Sequence, residues 1–198
     1  ANYQEANVDW EVTKEKLVTP QGAIVKNKEA LVRTSDNSVL DVVGTGWNPV
    51  QNSEAFEFFH DYVMAGDMEM HTAGSLKDGQ MVWALAKTKE SFELFDGDVT
   101  DNYFLFTNPH QFGKAINIRM TPIRVVCNNT LSAAYGNSKY RINITHTKSA
   151  NEQLRKAHEI MGISNLLTQE LSDVYNAMAS TRITDNNLEK FIVDSLDL

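Results

Sequence analysis

The sequence predicts an α+β protein: a largely antiparallel, multi-stranded sheet packed with helices and followed by a C-terminal helical segment. Three observations carry that expectation. Short runs of alternating apolar and polar residues recur up to about residue 146, and helical spacing of apolar residues takes over from Asn151. Strands gathered ahead of helices also lack the strict alternation of a parallel α/β sheet. The 198 residues, 42% of them hydrophobic and 22% charged, suit about one domain with a core of its own.

Residues 8–12, 30–33 and 39–43 read as short strands divided by polar or Gly/Pro-containing turns. After the break at 44–49, Asn52 or Ser53 caps a helix that runs to about Ala65, with Phe56, Phe59, Tyr62 and Val63 on its apolar face and Gly66 as its stop. Residues 69–76 and 81–88 form a hairpin around Asp78-Gly79, a pair that tolerates positive φ. Within the first of these strands, the small residues of Thr72-Ala73-Gly74-Ser75-Leu76 suit a bulge or a close approach. Residues 92–95, 102–108 and 115–121 read as further strands, 123–135 as a helix stopped by Gly136, and 140–146 as a strand. Leu154, Ala157, His158 and Met161 then share one helical face, and further helices are expected over 163–179 and 186–196. The one boundary drawn separates an α+β core domain at 1–148 from a helical segment at 149–198 packed on it.

With 18 Lys and Arg against 26 Asp and Glu, the net charge of −8 at first argues against a nucleic-acid partner. The distribution reverses that impression. The 50 residues 102–151 contain no Asp or Glu, where average composition would place about seven. Lys114, Arg119, Arg124, Lys139, Arg141 and Lys148 give this window +6, and the rest of the chain carries −14.

Strand alternation turns Ile116, Ile118 and Met120 inward and Asn117 and Arg119 outward. It likewise turns Tyr140, Ile142 and Ile144 inward and Arg141, Asn143 and Thr145 outward. Two strands thus jointly present Arg and Asn side chains on a polar face without a carboxylate to compete for the cations, which suits phosphate. The six cations with Asn117 and Asn143 are therefore the expected DNA contacts. Aromatic residues of the same window, from Tyr103 to Tyr140, are of the type on which unpaired bases stack, although most read as core. The plainer alternative is a neutral-to-basic β core with solvated Lys and Arg.

No catalytic group, metal or cofactor is expected. Cys127 is the sole cysteine, which excludes an intramolecular disulfide and a Cys-rich zinc site, and its apolar neighbours predict buried packing. The adjacent amides Asn128 and Asn129, early in the expected helix, need partners in backbone or ligand. None of the five histidines stands at metal-ligand spacing, and His110 falls in a loop of the basic window where it could meet phosphate. Gly44-Thr45-Gly46 lacks the Lys and Ser/Thr of a nucleotide-phosphate loop. The longest apolar run, 81–86, is far short of the ~20 residues that span a bilayer, and no basic-then-apolar leader begins the chain. The expected setting is therefore the cytoplasm of a bacterial host, away from membranes, and Ala1 in place of an initiator methionine suggests a piece of something longer.

Three stretches resemble a domain-of-unknown-function family known as phage/plasmid-like protein, over about residues 8–165. They are Gly44-Thr45-Gly46-Trp47-Asn48-Pro49-Val50-Gln51-Asn52, Thr72-Ala73-Gly74-Ser75-Leu76 with Val82-Trp83-Ala84-Leu85, and Thr121-Pro122-Ile123-Arg124-Val125-Val126-Cys127-Asn128-Asn129-Thr130. The resemblance implies a bacteriophage or mobile-element origin and brings no chemistry with it. A β-rich core with helices is more distantly similar to the single-strand annealing recombinases of the Redβ and RecT kind. That similarity implies a homo-oligomer holding single strands in a basic groove without a nucleotide cofactor. The leading expectation is thus a single-stranded DNA-binding and annealing protein that acts as a homo-oligomer and makes no bonds. The rivals are a protein-interaction or anti-defence module using its acidic surface, and an enzyme acting on nucleic acid through Cys127 or a histidine.

Overall fold

The alternation in the first quarter of the chain becomes a three-stranded antiparallel meander of β1 (Val12–Val18), β2 (Ile24–Arg33) and β3 (Ser38–Gly44). The structure, a computed structural model, describes residues 6–89, 92–93, 99–125, 127–136 and 141–161. After the meander come α1 (Asn52–Ala65), β4 (Met68–Leu76), β5 (Met81–Thr88), the short pair β6 (Phe92–Glu93) and β7 (Val99–Thr100), and β8 (Tyr103–Pro109). Next are β9 (Ile116–Thr121), α2 (Asn128–Gly136), β10 (Arg141–Ile144) and α3 (Ala150–Met161). The main sheet is five-stranded and antiparallel in the order β10-β9-β8-β5-β4, so the chain is α+β, as its patterning predicts. Lys139, Tyr140 and the helices expected over 163–179 and 186–196 lie outside the described residues.

Every residue of β8 and β9 is buried, which means that both faces of the sheet centre are covered. One face carries Ala84, Ala86, Phe104, Phe106, Ile116, Ile118, Met120 and Ile144, packed against Phe58, Phe59 and Tyr62 of α1 and Ala150, Leu154 and Ala157 of α3. The opposite face carries Trp83, Leu85, Tyr103 and Leu105 under Val125 and under Leu131 and Ala134 of α2. The inward set expected on β9 is therefore correct, but the outward set has a helix over it. The predicted 123–135 helix is shorter than expected, because Val125 is spent plugging the sheet and the Thr130 hydroxyl reaches back to accept the Cys127 N–H at 3.0 Å, starting the helix at Asn128.

Gly79 has φ +94°, a conformation strained for any residue with a β-carbon, so the Asp-Gly turn requires its glycine. The strand β4 bulges at His71, between the pairs Met70↔Ala86 and Thr72↔Leu85, just before the stretch 72–76 where a bulge or close approach was expected. Within that stretch the close approach is at Gly74, where a β-carbon would stand 3.2 Å from the Trp83 ring.

Two expectations near the N-terminus are corrected by one interaction. Residues 8–12 do alternate, with Val8, Trp10 and Val12 buried, yet they pair with no strand before Val12. Their backbone is held by side chains instead. Asn52 Nδ2 donates to the carbonyls of Val8 and Trp10, each at 3.1 Å, and the Gln51 amide donates to Val12 O at 3.0 Å and accepts from Val12 N at 2.9 Å. Asn52 is thus a buried fastener rather than a helix cap. The helix begins after Gln51, whose N–H is accepted by the Glu54 carboxylate, and ends at Gly66 with φ +76°.

The same fastener fixes a histidine. Because Asn52 spends its nitrogen on carbonyls, its Oδ1 must accept from His110 Nε2, at 2.8 Å. His110 is fully buried, which corrects the expectation that it meets phosphate. His146, stacked on Trp47 with ring centroids 4.1 Å apart, has Nδ1 3.2 Å from the carbonyl of Asn48. His110 Nδ1 has no hydrogen-bond partner among the described residues, so a second proton on that ring would be buried without an acceptor, whereas the carbonyls of Asn48 and Pro109 face His146 and only partly offset its burial. Burial accordingly pushes His110 down to about 3, with the neighbouring His146 adding to the effect, and pushes His146 down to about 4.

Two outcomes follow from these contacts. Asn52→Ala should cost about 2–4 kcal/mol by stranding two carbonyls and a ring nitrogen, whereas Ser53→Ala should stay within about 0.5 kcal/mol; urea unfolding compares them. Both imidazoles are neutral when folded and free to protonate when unfolded, so their contribution is complete above pH ~6.5 and is lost as pH falls toward 4 and 3. Between pH 6 and 4.5 the unfolding constant should rise with up to about two protons per chain from this pair. The double substitution His110→Gln, His146→Gln should flatten that stretch, and an unchanged profile would contradict the assignment.

Candidate anion-binding cavity

The antiparallel register sets Arg141 directly opposite Arg119 and Asn143 directly opposite Asn117. Cross-strand partners share a face, so β9 and β10 make a two-by-two plate of two arginines and two asparagines on the side where α2 lies. Like charges facing each other across a ladder are ordinarily destabilising. Here the pair is separated by environment, with Arg119 only 6% exposed and Arg141 exposed on the edge strand.

Tyr135, near the end of α2, covers Arg119. The guanidinium carbon stands 3.9 Å from the ring centroid, Nη1 donates to the Tyr135 carbonyl at 3.0 Å, and the tyrosine hydroxyl shares a 2.9 Å hydrogen bond with Thr107 on β8. Arg119 Nε donates to Asn117 Oδ1, and Asn117 Nδ2 donates to Asn143 Oδ1. Burial lowers the Arg119 pKa from its usual value, Tyr135 opposes the shift and Arg141 reinforces it. Arginine remains protonated through shifts of this kind, so a positive charge sits at low exposure beneath the helix.

A cavity of about 440 Å3 opens beside this plate, within the range of small-ligand sites of about 300–1,000 Å3. Asn117, Arg119 and Asn143 line it, together with Lys77 from the β4–β5 turn and Lys114 from the loop before β9. Gln111, Asn128 and Ser132 complete its polar wall, and Leu76, Met81 and Leu131 its apolar one. No Asp or Glu is among the described residues that line it. Lys77 and Lys114 are exposed and make no ion pair among the described residues. Asp41 reaches the same loop from outside, accepting the Phe112 N–H at 2.6 Å, and does not line the cavity.

Four of the eight residues expected to bind DNA therefore come together here: Lys114, Asn117, Arg119 and Asn143. Arg141 stands beside them on the same plate. Arg124 does not join them, since it lies past the far end of β9, where its charge acts on His71 and Tyr103 next to the Lys87–Asp101 ion pair. Lys148 is exposed in the connection from β10 to α3 and does not line the cavity. Sequence reasoning missed Lys77, which lies 25 residues before the acid-free window and joins the site only through the hairpin turn. It also missed that Arg119 would be covered, because a helix over the polar face leaves no trace in strand alternation.

Cys127 is exposed at the start of α2, not buried as its neighbours predict, because Val125 fills the core position. Its hydrogen bonds run to Thr130, with Sγ 3.5 Å from the hydroxyl, and to no histidine. Hydrogen bonds from Thr130 and then Asn129 hold the thiol below the usual cysteine range. No cluster of three or more His, Cys, Asp or Glu that could hold a metal exists among the described residues. None of the described helices is long and apolar enough to cross a membrane.

The native protein should accordingly react with iodoacetamide at one thiol per chain. The rate should reach half its maximum at a pH below the ordinary thiol value of about 8.5, and a thiol that reacts only after unfolding would contradict its placement.

Searches of curated proteins and of solved structures each return no match. The family described as "Domain of unknown function (DUF932)" matches residues 39–198, from β3 through the main sheet, the described helices α1–α3 and the cavity to the end of the chain. With most of its length covered by that match, the chain belongs to the DUF932 family.

Proposed function

We propose that this chain binds single-stranded DNA at the carboxylate-free cavity of the β9–β10 plate and promotes strand annealing as a homo-oligomer, without making or breaking bonds. The observation that carries the reading is the gathering of Lys77, Lys114 and Arg119, with Arg141 beside them, around a cavity whose lining includes no Asp or Glu among the described residues. In a chain of net charge −8 this is a local positive region, and phosphate is the polyanionic group that such donors suit. Four cations hold a strand weakly, so several copies side by side along one strand supply the affinity through effective concentration. The distant resemblance to annealing recombinases, which hold single strands in a basic groove, favours a polynucleotide over a free small anion. The absence of a histidine among the partners of Cys127 weighs against the thiol-enzyme rival.

A second reading rests on a different feature. A groove of about 340 Å3 between α1 and α3 is lined by Glu54, Glu57 and Asp61 together with Arg155 and His158, and this favours a basic protein partner on the opposite face of the sheet. A partner held there would resist displacement by single-stranded DNA.

Salt dependence tests the leading reading. Four phosphate contacts predict a slope of log affinity against log salt of about −3 for an oligothymidylate, against about −4 had all six cations of the basic window been engaged. Lys114→Ala, Arg141→Ala should flatten the slope by about 1.4, while Arg124→Ala, Lys148→Ala should leave it unchanged. The reverse pattern would remove the cavity from DNA binding.

A further inference from the structure

The direction of every hydrogen bond on the plate is dictated by Arg119. A guanidinium carries five N–H donors and no acceptor, so the Asn117 atom facing Arg119 Nε has to be the oxygen. That turns Asn117 Nδ2 toward Asn143, where it requires an oxygen, and Asn143 Oδ1 accepts it. Asn143 is then left with its own Nδ2 and two N–H groups, which have no partner among the described residues, at an exposed position on the cavity wall. An amide that could in isolation present either end is thereby held with its donors available. Lys77 and Lys114 add donor-only ammonium groups.

Resting on the proposed nucleic-acid reading, we infer that the part of the ligand seated in this cavity is a phosphate group rather than a base, bound by Asn143 Nδ2, Lys114 and Lys77. Asn117 is the positioning residue that transmits the polarity of Arg119 to Asn143. A base edge offers donors and acceptors side by side, and its donors would meet only other donors at Asn143, Lys77 and Lys114. A phosphate is an acceptor on every oxygen and leaves no group unpaired. The acid-free lining serves the same end, since one carboxylate would both repel phosphate and occupy a lysine. Asn128 and Gln111, whose amides are not tied into the relay, can turn either end toward the ester or sugar.

The experiment follows the side-chain amide signals of Asn143 and Asn117 by NMR on the full chain during titration with inorganic phosphate, thymidine 5′-monophosphate, thymidine and an oligothymidylate. Phosphate and the monophosphate should shift the Asn143 NH2 signals saturably, and thymidine should not. Asn143→Asp keeps an acceptor for Asn117 but removes the donors, and should weaken phosphate binding about tenfold or more; Asn143→Ala should weaken it less. Asn117→Asp accepts from Arg119 and from Asn143, so Asn143 turns its oxygen to the cavity. Binding is then lost with the fold intact, and the Asn143 NH2 gains cross-peaks to position 117, which a merely structural role for Asn117 would not produce. Thymidine competing as well as its monophosphate, or Asn143→Asp binding phosphate as tightly as the parent, would overturn the inference. Phosphate binding without oligothymidylate binding upholds the phosphate site and sinks the single-strand reading. Oligothymidylate binding that leaves the Asn143 signals unmoved does the opposite.

Discussion

Burial of β8 and β9 along their whole length is the constraint from which the rest of the molecule follows. A sheet buried at its centre needs a cover on each face. One cover is ample: α1 and α3 set aromatic and aliphatic side chains against Phe104, Phe106, Ile116 and Ile118. The other is short. Nine residues of α2 span only about 14 Å, with Leu131 and Ala134 over the Trp83–Leu105 part of its face and Tyr135 over Arg119 of β9. The cavity opens beside Arg119, on the same side of the β9–β10 plate.

At that edge the chain does something that folding alone would not favour. It sets two arginines opposite each other, puts one of them under a tyrosine, and surrounds both with amides in a segment free of carboxylates. Removing a guanidinium from water is costly even when its N–H groups are satisfied, and an apolar pair at these two positions would have been the simpler choice for stability. Local violations of packing economy of this kind concentrate at functional sites. The N-terminal meander plays a different part, since it is anchored through Asn52, Gln51 and Gln80 rather than through the main ladder, and the family match begins only at β3.

Much of this was legible in the sequence. The apolar run beside the Asp-Gly turn at 81–88 and the period-2 run at 115–121 marked two central strands to within a residue, and Gly66 and Gly79 marked a helix end and a hairpin because their backbones need positive φ. The pairing of Arg with Asn on one face of β9 and β10 followed from alternation alone. Other features were not legible, for identifiable reasons. Periodicity reports which way a side chain points, but says nothing of whether a helix from elsewhere lies over it, so Arg119 read as solvent-facing. An asparagine ahead of a helix is usually a cap, and only the tertiary position of Val8 and Trp10 shows that Asn52 serves their carbonyls instead. Lys77 came from outside the charge-biased window, and Arg124 and Lys148 shared the window without sharing the site. Charge clustering in sequence thus marked the segment that supplies most of the cavity's polar wall and overstated the number of cations gathered at it.

The most direct test of the account is a crystal structure of the chain with a short oligothymidylate. The account predicts a backbone phosphate seated in the cavity between β9, β10 and the Lys77 turn, within hydrogen-bond reach of Asn143 Nδ2 and Lys114 Nζ, with its base directed outward. An oligonucleotide lying on another face with the cavity empty, or a base buried against Asn117 and Asn143, would contradict it.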